Sequence, residues 1–183
     1  MARRRRGRSG AWGRWLLLLV VILAAAALAV RWFPRRPAEV NAYFVRFDNV
    51  RHTGTLMPVR RTGPGRVAPL NARIEAALRA VLAGPSPGER RQGLTSEIPP
   101  GTTLRGVQMN GTTAVVDLSS DFTAGGGSTS MLARLSQVVY TATQFAQVPE
   151  VQILIDGRRV ETLGGEGLLI QNPLRRSATP RSF

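Results

Sequence analysis

Residues 15–30 read WLLLLVVILAAAALAV, sixteen consecutive positions without a charge. A run that is apolar on every helical face has no side to turn toward water, so its natural solvent is hydrocarbon. Six arginines precede it (Arg3, Arg4, Arg5, Arg6, Arg8 and Arg14), and only Arg31, Arg35 and Arg36 follow closely. The positive-inside rule assigns the denser flank to the cytoplasm. The expected topology is a single pass through the cytoplasmic (inner) membrane with the N-terminus inside. It divides the chain into a basic cytoplasmic tail (1–14), a transmembrane anchor in the lipid bilayer (15–33), a linker (34–40), an extracytoplasmic domain (41–176) and a flexible C-terminal tail (177–183). Sixteen helical residues rise about 24 Å against roughly 30 Å of hydrocarbon. Arg14 and Arg31 can snorkel to close the difference, and Trp12, Trp15 and Trp32 sit where an interfacial belt belongs.

The rival reading is a secretory signal cleaved after Ala29, since Ala27-Leu28-Ala29 resembles a cleavage site. The apolar core is longer than the ~7–15 residues of a signal, which favours an uncleaved anchor. Both readings export the domain. The chain has no cysteine. That excludes a lipid anchor on a lipobox thiol, disulfides and thiol chemistry.

The net charge is +14. Residues 1–36 hold nine arginines and no acid, whereas the remainder holds sixteen arginines and eleven acids, so the domain is only about +5. A basic run directly before an apolar span reads as a topology signal touching anionic lipid, not as a nucleic-acid site. All the basic residues are arginine, which a coding bias explains more simply than a need for guanidinium.

Residues 42–47 and 56–61 read as strands, the second at an edge because of Pro58. Ile74, Ala77, Leu78, Val81 and Leu82 form one helical face, with Asn71 as expected N-cap and Gly84-Pro85 as stop. Residues 103–109 and 112–118 flank Asn110-Gly111, the signal for a hairpin with a type I′ turn. A second helix carries Met131, Leu135, Val138, Val139, Ala142 and Ala146 on one side, with Ser128 or Ser130 as cap. Residues 151–155 read as a buried strand turning at Asp156-Gly157 into residues 158–160. The expected fold is α+β: two helices packed on one largely antiparallel sheet, behind a transmembrane helix.

Several runs along this domain carry a resemblance. They are Gly84-Pro85, Gly93-Leu94-Thr95, Ile98-Pro99-Pro100-Gly101-Thr102, the stretch from Val116 through Asp117 and Asp121 to Phe122, and the loop Gly125-Gly126-Gly127-Ser128. The densest is Gln137-Val138-Val139-Tyr140-Thr141-Ala142-Thr143-Gln144-Phe145, and Leu154-Ile155-Asp156-Gly157 closes the set. Together they resemble the GerMN domain family of sporulation and spore germination proteins, over roughly residues 41–176. The resemblance implies a small α+β domain behind an anchor, with a part in assembling or maintaining a cell-envelope complex.

The residues that could carry chemistry are few. Asp117 and Asp121 are the only acid–base pair worth considering, for a wall-associated hydrolase. The bland reading puts Asp117 on a strand's solvent face and Asp121 in a turn. Gly125, Gly126, Gly127 and Ser128 could cradle an anion at a helix N-terminus, but no lysine exists to serve a phosphate loop, and a serine-capped connector is simpler. Arg158, Arg159, Arg175 and Arg176 form a candidate surface for an acidic polymer or lipid headgroup. His52 alone makes neither a zinc site nor a serine triad. Tyr140 and Phe145 suit core packing better than a ligand platform. The expectation is a non-catalytic interaction module without cofactor or metal, whose partner is an unknown envelope protein or cell-wall component.

Overall fold

The structure is a computed structural model, and it describes residues 15–25, 37–163 and 168–183. The chain divides into two compact units, residues 1–36 and 37–183. Of the first unit, residues 15–25 are helical (α1). Every large side chain from Trp15 to Leu23 is at least half exposed, the least so at 53 %. Among the described residues no helix is long and apolar enough to cross a membrane. The expected anchor continues to residue 33, and its end, the basic tail and the Ala29 cleavage point lie outside the described residues.

The second unit begins with the longest pairing in the molecule. Strands β1 (Ala38–Asp48) and β2 (Thr53–Gly63) are antiparallel in unbroken register from Ala38↔Gly63 to Asp48↔Thr53. Strand β1 therefore starts inside the segment expected to be linker. Val40, Ala42 and Phe44 point into the main core, while Tyr43 and Val45 pack with Leu56 and Ala133 on the other face. Burial on both faces is why this strand lacks a clean alternation. Strand β2 lies at the sheet's edge, where Pro58 withholds no ladder donor.

Helix α2 (Leu70–Leu82) buries Ile74, Ala77, Leu78 and Val81, the face the spacing predicts. Its N-cap is Pro69 with no capping side chain, so Asn71 is the helix's second residue, not its cap. The chain leaves the helix through Gly84 at φ +76°, then Pro85. In the turn-rich connection that follows, Ser86 and Glu89 form a reciprocal capping box on the short helix α3 (Pro87–Arg91). Strand β3 (Leu94–Thr95) then returns to pair with Val45 and Arg46 of β1.

Strands β4 (Leu104–Asn110) and β5 (Thr113–Leu118) form the expected hairpin. The turn differs. Asn110 pairs with Thr113, leaving Gly111-Thr112 as the loop, and Gly111 alone takes a positive φ, +60°. That is the type II′ pattern. The hairpin turn with two positive φ values is Asp156-Gly157, at +49° and +75°, joining β6 (Glu150–Ile155) to β7 (Arg158–Arg159). Strand β6 runs parallel to β5, the crossover being made by a 3-10 turn at Ser120–Thr123 and helix α4 (Ser128–Ala142). Strands β8 (Thr162–Leu163) and β9 (Leu168–Leu169) form a small separate pair.

The domain is α+β as expected, but its strands form sheets β2-β1-β3, β4-β5-β6-β7 and β8-β9, not one sheet. Helix α4 is the reason. Backbone groups of Asn41 and Tyr43 point away from β2, toward an edge that another strand would normally fill. There Asn41 N donates to Gln144 Oε1 (2.7 Å) and Asn41 O accepts from Gln144 Nε2 (2.9 Å). Tyr43 N donates to Thr141 Oγ1 (3.2 Å) and Tyr43 O accepts from Gln137 Nε2 (2.9 Å). Gln137 and Thr141 stand at i and i+4 on α4, and Gln144, at i+7 in the turn just past its end, continues the same stripe. The stripe satisfies the strand edge with side chains, and the opposite side of α4 buries Leu135, Val138, Val139 and Ala142 in the main core.

The tail is also part of the sheet system. Gly54 N donates to Phe183 O (2.7 Å), Phe183 N to Gly54 O (2.9 Å) and Leu56 N to Arg181 O (2.9 Å). Residues 181–183 thus cover part of the open side of β2, a position opposite to the flexible end expected of 177–183.

Candidate functional site

Asp117 and Asp121 do not meet as a working pair. Asp117 is half-buried on β5, and its Oδ1 accepts from Gly157 N at 2.8 Å, bracing the β6–β7 turn. The same turn is held by Arg105 on Asp156 (2.6 Å) and by Asp156 N on Leu118 O (2.9 Å). Asp121 is exposed, and its Oδ2 accepts from Ser119 Oγ (2.9 Å), which in turn accepts from Thr103 N (3.0 Å). Each carboxylate serves a different backbone turn. Chemistry on a shared substrate requires convergence that these partners do not provide.

The glycine loop is built with the opposite polarity to an anion cradle. Arg134, only 2 % exposed, sends its guanidinium back from α4 into the loop. Nη1 donates to the carbonyls of Phe122 (2.7 Å) and Ala124 (3.1 Å), and Nη2 to Gly125 O (3.0 Å) and Ser130 Oγ (3.3 Å). Burial lowers the pKa of this guanidinium, while the Glu97 carboxylate opposes the shift. Glu97 also accepts from Ser130 Oγ at 2.7 Å, so Ser130 is tied to this network. The N-cap of α4 is Gly127, without a capping side chain, and Ser128 is the first helical residue. Gly126 must lack a Cβ, which would stand 2.7 Å from Arg134 Nη2 at a backbone φ of +86°. The cation the loop accommodates is the protein's own.

The four expected surface arginines separate. Strand β6 carries Arg175 near its first residue and Arg158 and Arg159 beyond its last, about 16 Å apart by strand rise. Arg175 pairs with Glu150 at 2.9 Å. The Glu150 carboxyl is held below the usual carboxylate range, first by the Thr113 hydroxyl and then by Arg175. Arg176 closes the C-terminal end of α4, donating to Thr143 Oγ1 (2.9 Å) and Tyr140 O (3.0 Å). It also lies over the rings of Tyr140 (4.8 Å) and Tyr43 (5.7 Å). Arg175 stays exposed despite its pair with Glu150, as do Arg158 and Arg159 on β7.

Tyr140 and Phe145 pack as the sequence suggests. Tyr140 packs against Tyr43 with the rings tilted by 59° and centroids 5.6 Å apart, and Phe145 joins the main core. His52 is exposed, in the β1–β2 turn, with φ +50°. Among the described residues no three metal-ligating side chains cluster. Sequence reasoning missed the polar stripe Gln137–Thr141–Gln144 and the Arg134–Glu97 network. The spacing of the first was visible, but nothing local distinguishes a polar stripe facing solvent from one facing a strand edge.

Comparison with known proteins follows the same lines. A family model described as Germane, sporulation and spore germination, matches residues 41–161. No characterised protein sequence matches the chain. Among solved structures, the chain resembles the first GerMN domain of the sporulation protein GerM from Bacillus subtilis, with a TM-score of 0.56 at 19 % identity, covering 76 % of this chain and 98 % of that one. The tandem GerMN domains of the same protein give 0.58 at 17 %, covering 78 % of this chain and 47 % of the other, so this chain spans about half of the tandem unit. A protein of Clostridium perfringens provisionally designated a lipoprotein gives 0.54 at 20 %, covering 77 % and 89 %. Identities this low establish the fold, and the family match spans most of the domain. The chain belongs to the Germane (GerMN) family of sporulation and spore germination proteins.

Proposed function

We propose that this protein is a membrane-anchored, extracytoplasmic GerMN domain that works without catalysis, as a scaffold or interaction module in assembly of a cell-envelope complex. The observation that carries the reading is α1, whose large apolar side chains stay at least 53 % exposed from Trp15 to Leu23. A helix apolar on all sides is stable in lipid. Six arginines before it, against three shortly after, orient the domain outward. The designation of the Clostridium neighbour agrees with a fold held at a membrane. The absence of catalysis rests on Asp117 and Asp121, each committed to a separate turn.

The test is the full-length double variant Asp117→Asn/Asp121→Asn, read by in-cell crosslinking and by complementation of a deletion strain. A general acid or base contributes about 10²–10⁴-fold in rate, so a hydrolase would lose its phenotype. The scaffold reading expects wild-type complementation and an unchanged crosslinked species at normal abundance. Lost complementation with unchanged melting and retained crosslinking would overturn it in favour of an enzyme.

A further inference from the structure

A recess of about 770 Å³ opens where the chain enters the domain. Its walls come from four segments: the start of β1 (Pro37, Glu39 and Tyr43 among them), Arg60 on β2, Arg66 in the β2–α2 loop, and Arg73 in the first turn of α2. Three arginines therefore line one recess with a single acidic residue. Glu39 stands 3.4 Å from Arg60, both largely exposed, and an exposed pair of this kind contributes little. Arg66 and Arg73 have no side-chain acceptor among the described residues. Arg73 is the more telling of the two. Its guanidinium lies 4.7 Å over the ring of Phe145, which fixes its direction. Its Nε is shielded from solvent and has no partner. Elsewhere in this domain the terminal Nη atoms of shielded arginines find acceptors, as those of Arg61 do on Glu89 and those of Arg134 do on loop carbonyls, although Arg134 Nε, like Arg73 Nε, has none. A buried N–H without a partner is costly, and three like charges around one concavity add repulsion. An anion in the recess relieves the repulsion.

We propose that the recess is a binding site for a phosphate ester, with Arg66 and Arg73 as the principal donors and Arg60 adding charge. The guanidinium fork matches a tetrahedral oxyanion with paired donors. The recess is larger than a bare phosphate, and Tyr43 and Pro58 line it, providing a wall for the organic part of the ester. A lipid headgroup and a soluble phosphate ester share this chemistry. The inference stands whether or not the domain also serves as a scaffold.

Isothermal titration calorimetry on the full-length protein in a neutral detergent tests it. The probes are glycerol phosphate and short-chain dihexanoyl phosphatidylglycerol, compared across wild type, Arg66→Gln and Arg73→Gln. The N-terminal arginines are common to all three proteins, so only the recess changes. Saturable binding to wild type is expected, weakened by added salt, with a loss of about tenfold or more in each variant. Tighter binding of the phospholipid assigns the headgroup as the source, and equal binding assigns the free ester. Arg73→Gln also removes the stack on Phe145, so its melting curve is recorded in parallel. Arg66 is exposed on a loop, and its variant carries the test alone if Arg73→Gln unfolds. No saturable heat with either probe, or equal affinity in wild type and Arg66→Gln, overturns the proposal.

Discussion

Gln137 is fully buried, and both ends of its amide are engaged. Nε2 donates to Tyr43 O at 2.9 Å and to Ser96 Oγ at 3.3 Å, while Oε1 accepts from Glu97 N at 2.9 Å. One side chain thus links α4, the open edge of β1 and the segment after β3. Gln137→Leu conserves much of the volume but strands a buried carbonyl and a backbone N–H. Each orphaned group costs about 1–3 kcal/mol, so the variant is expected to lose roughly 2–5 kcal/mol in urea unfolding. A loss below about 0.5 kcal/mol would show that water replaces the amide. The same logic governs Asp117, Asp121 and Arg134, whose charged groups are engaged by nearby turns and loops. As residue types they advertise function, and only their partners reveal that they hold turns.

Among the elements, α4 has the strictest requirement, since it buries polar and apolar faces alike. Val139 is fully buried in the main core. Val139→Asp places an unpaired carboxylate there at a cost of several kcal/mol, comparable with the whole stability of a small domain, about 5–15 kcal/mol. The full-length variant is expected to be degraded in cells and to show no cooperative melting of the domain. Unchanged melting would place the core on the other face of α4. Helix α3 depends on a different contact. Glu89 takes a bidentate pair from Arg61 of β2 at 2.6 and 2.7 Å, and Arg61 also lies 5.4 Å from the Phe44 ring. The Arg61 hydrogen bonds, followed by those from Ser86, lower the Glu89 pKa to about 2 against burial, which raises it. A carboxylate with a lowered folded pKa adds stability that is full above its unfolded pKa, near 4.5, and disappears as pH falls toward 2. Glu89→Gln is therefore expected to melt a few degrees below wild type at pH 7. The two curves should converge near pH 2, as thermal melts followed by circular dichroism across that window would report. A constant offset at every pH would mean that the pair contributes through packing alone.

For the whole molecule, the apolar segment and the domain make separate statements. The large apolar side chains of α1 are exposed, and residues 37–183 form a compact unit of their own. A reporter active only outside the cytoplasm, fused after Phe183, is expected to be active, because the arginine asymmetry directs the C-terminal side outward. Activity confined to a cytoplasmic reporter would reverse the orientation. Deleting Arg3 to Arg6 should reduce the bias, since the six preceding arginines dominate the asymmetry.

Local periodicity determined much of this protein without reference to tertiary contacts. The charge-free run declares a helix apolar on every face, the 3.6-residue spacing of Ile74 to Val81 and of Met131 to Ala142 declares two helix faces, and Gly111 between strand-like runs declares a hairpin. These signals are readable because each lies within one element. Pairing is another matter. The side chain of Gln137 meets Tyr43 across 94 positions, and Gln144 meets Asn41 across 103. Only tertiary structure decided that these amides close a strand edge and so divide the strands into separate sheets. Tertiary structure likewise separated Arg158 from Arg175 and drew Arg60, Arg66 and Arg73 around one recess. The physical reason is that a charge or an amide has a role only through its partner. Sequence spacing places that partner within a helix turn or a hairpin, and the packing of distant segments places it everywhere else.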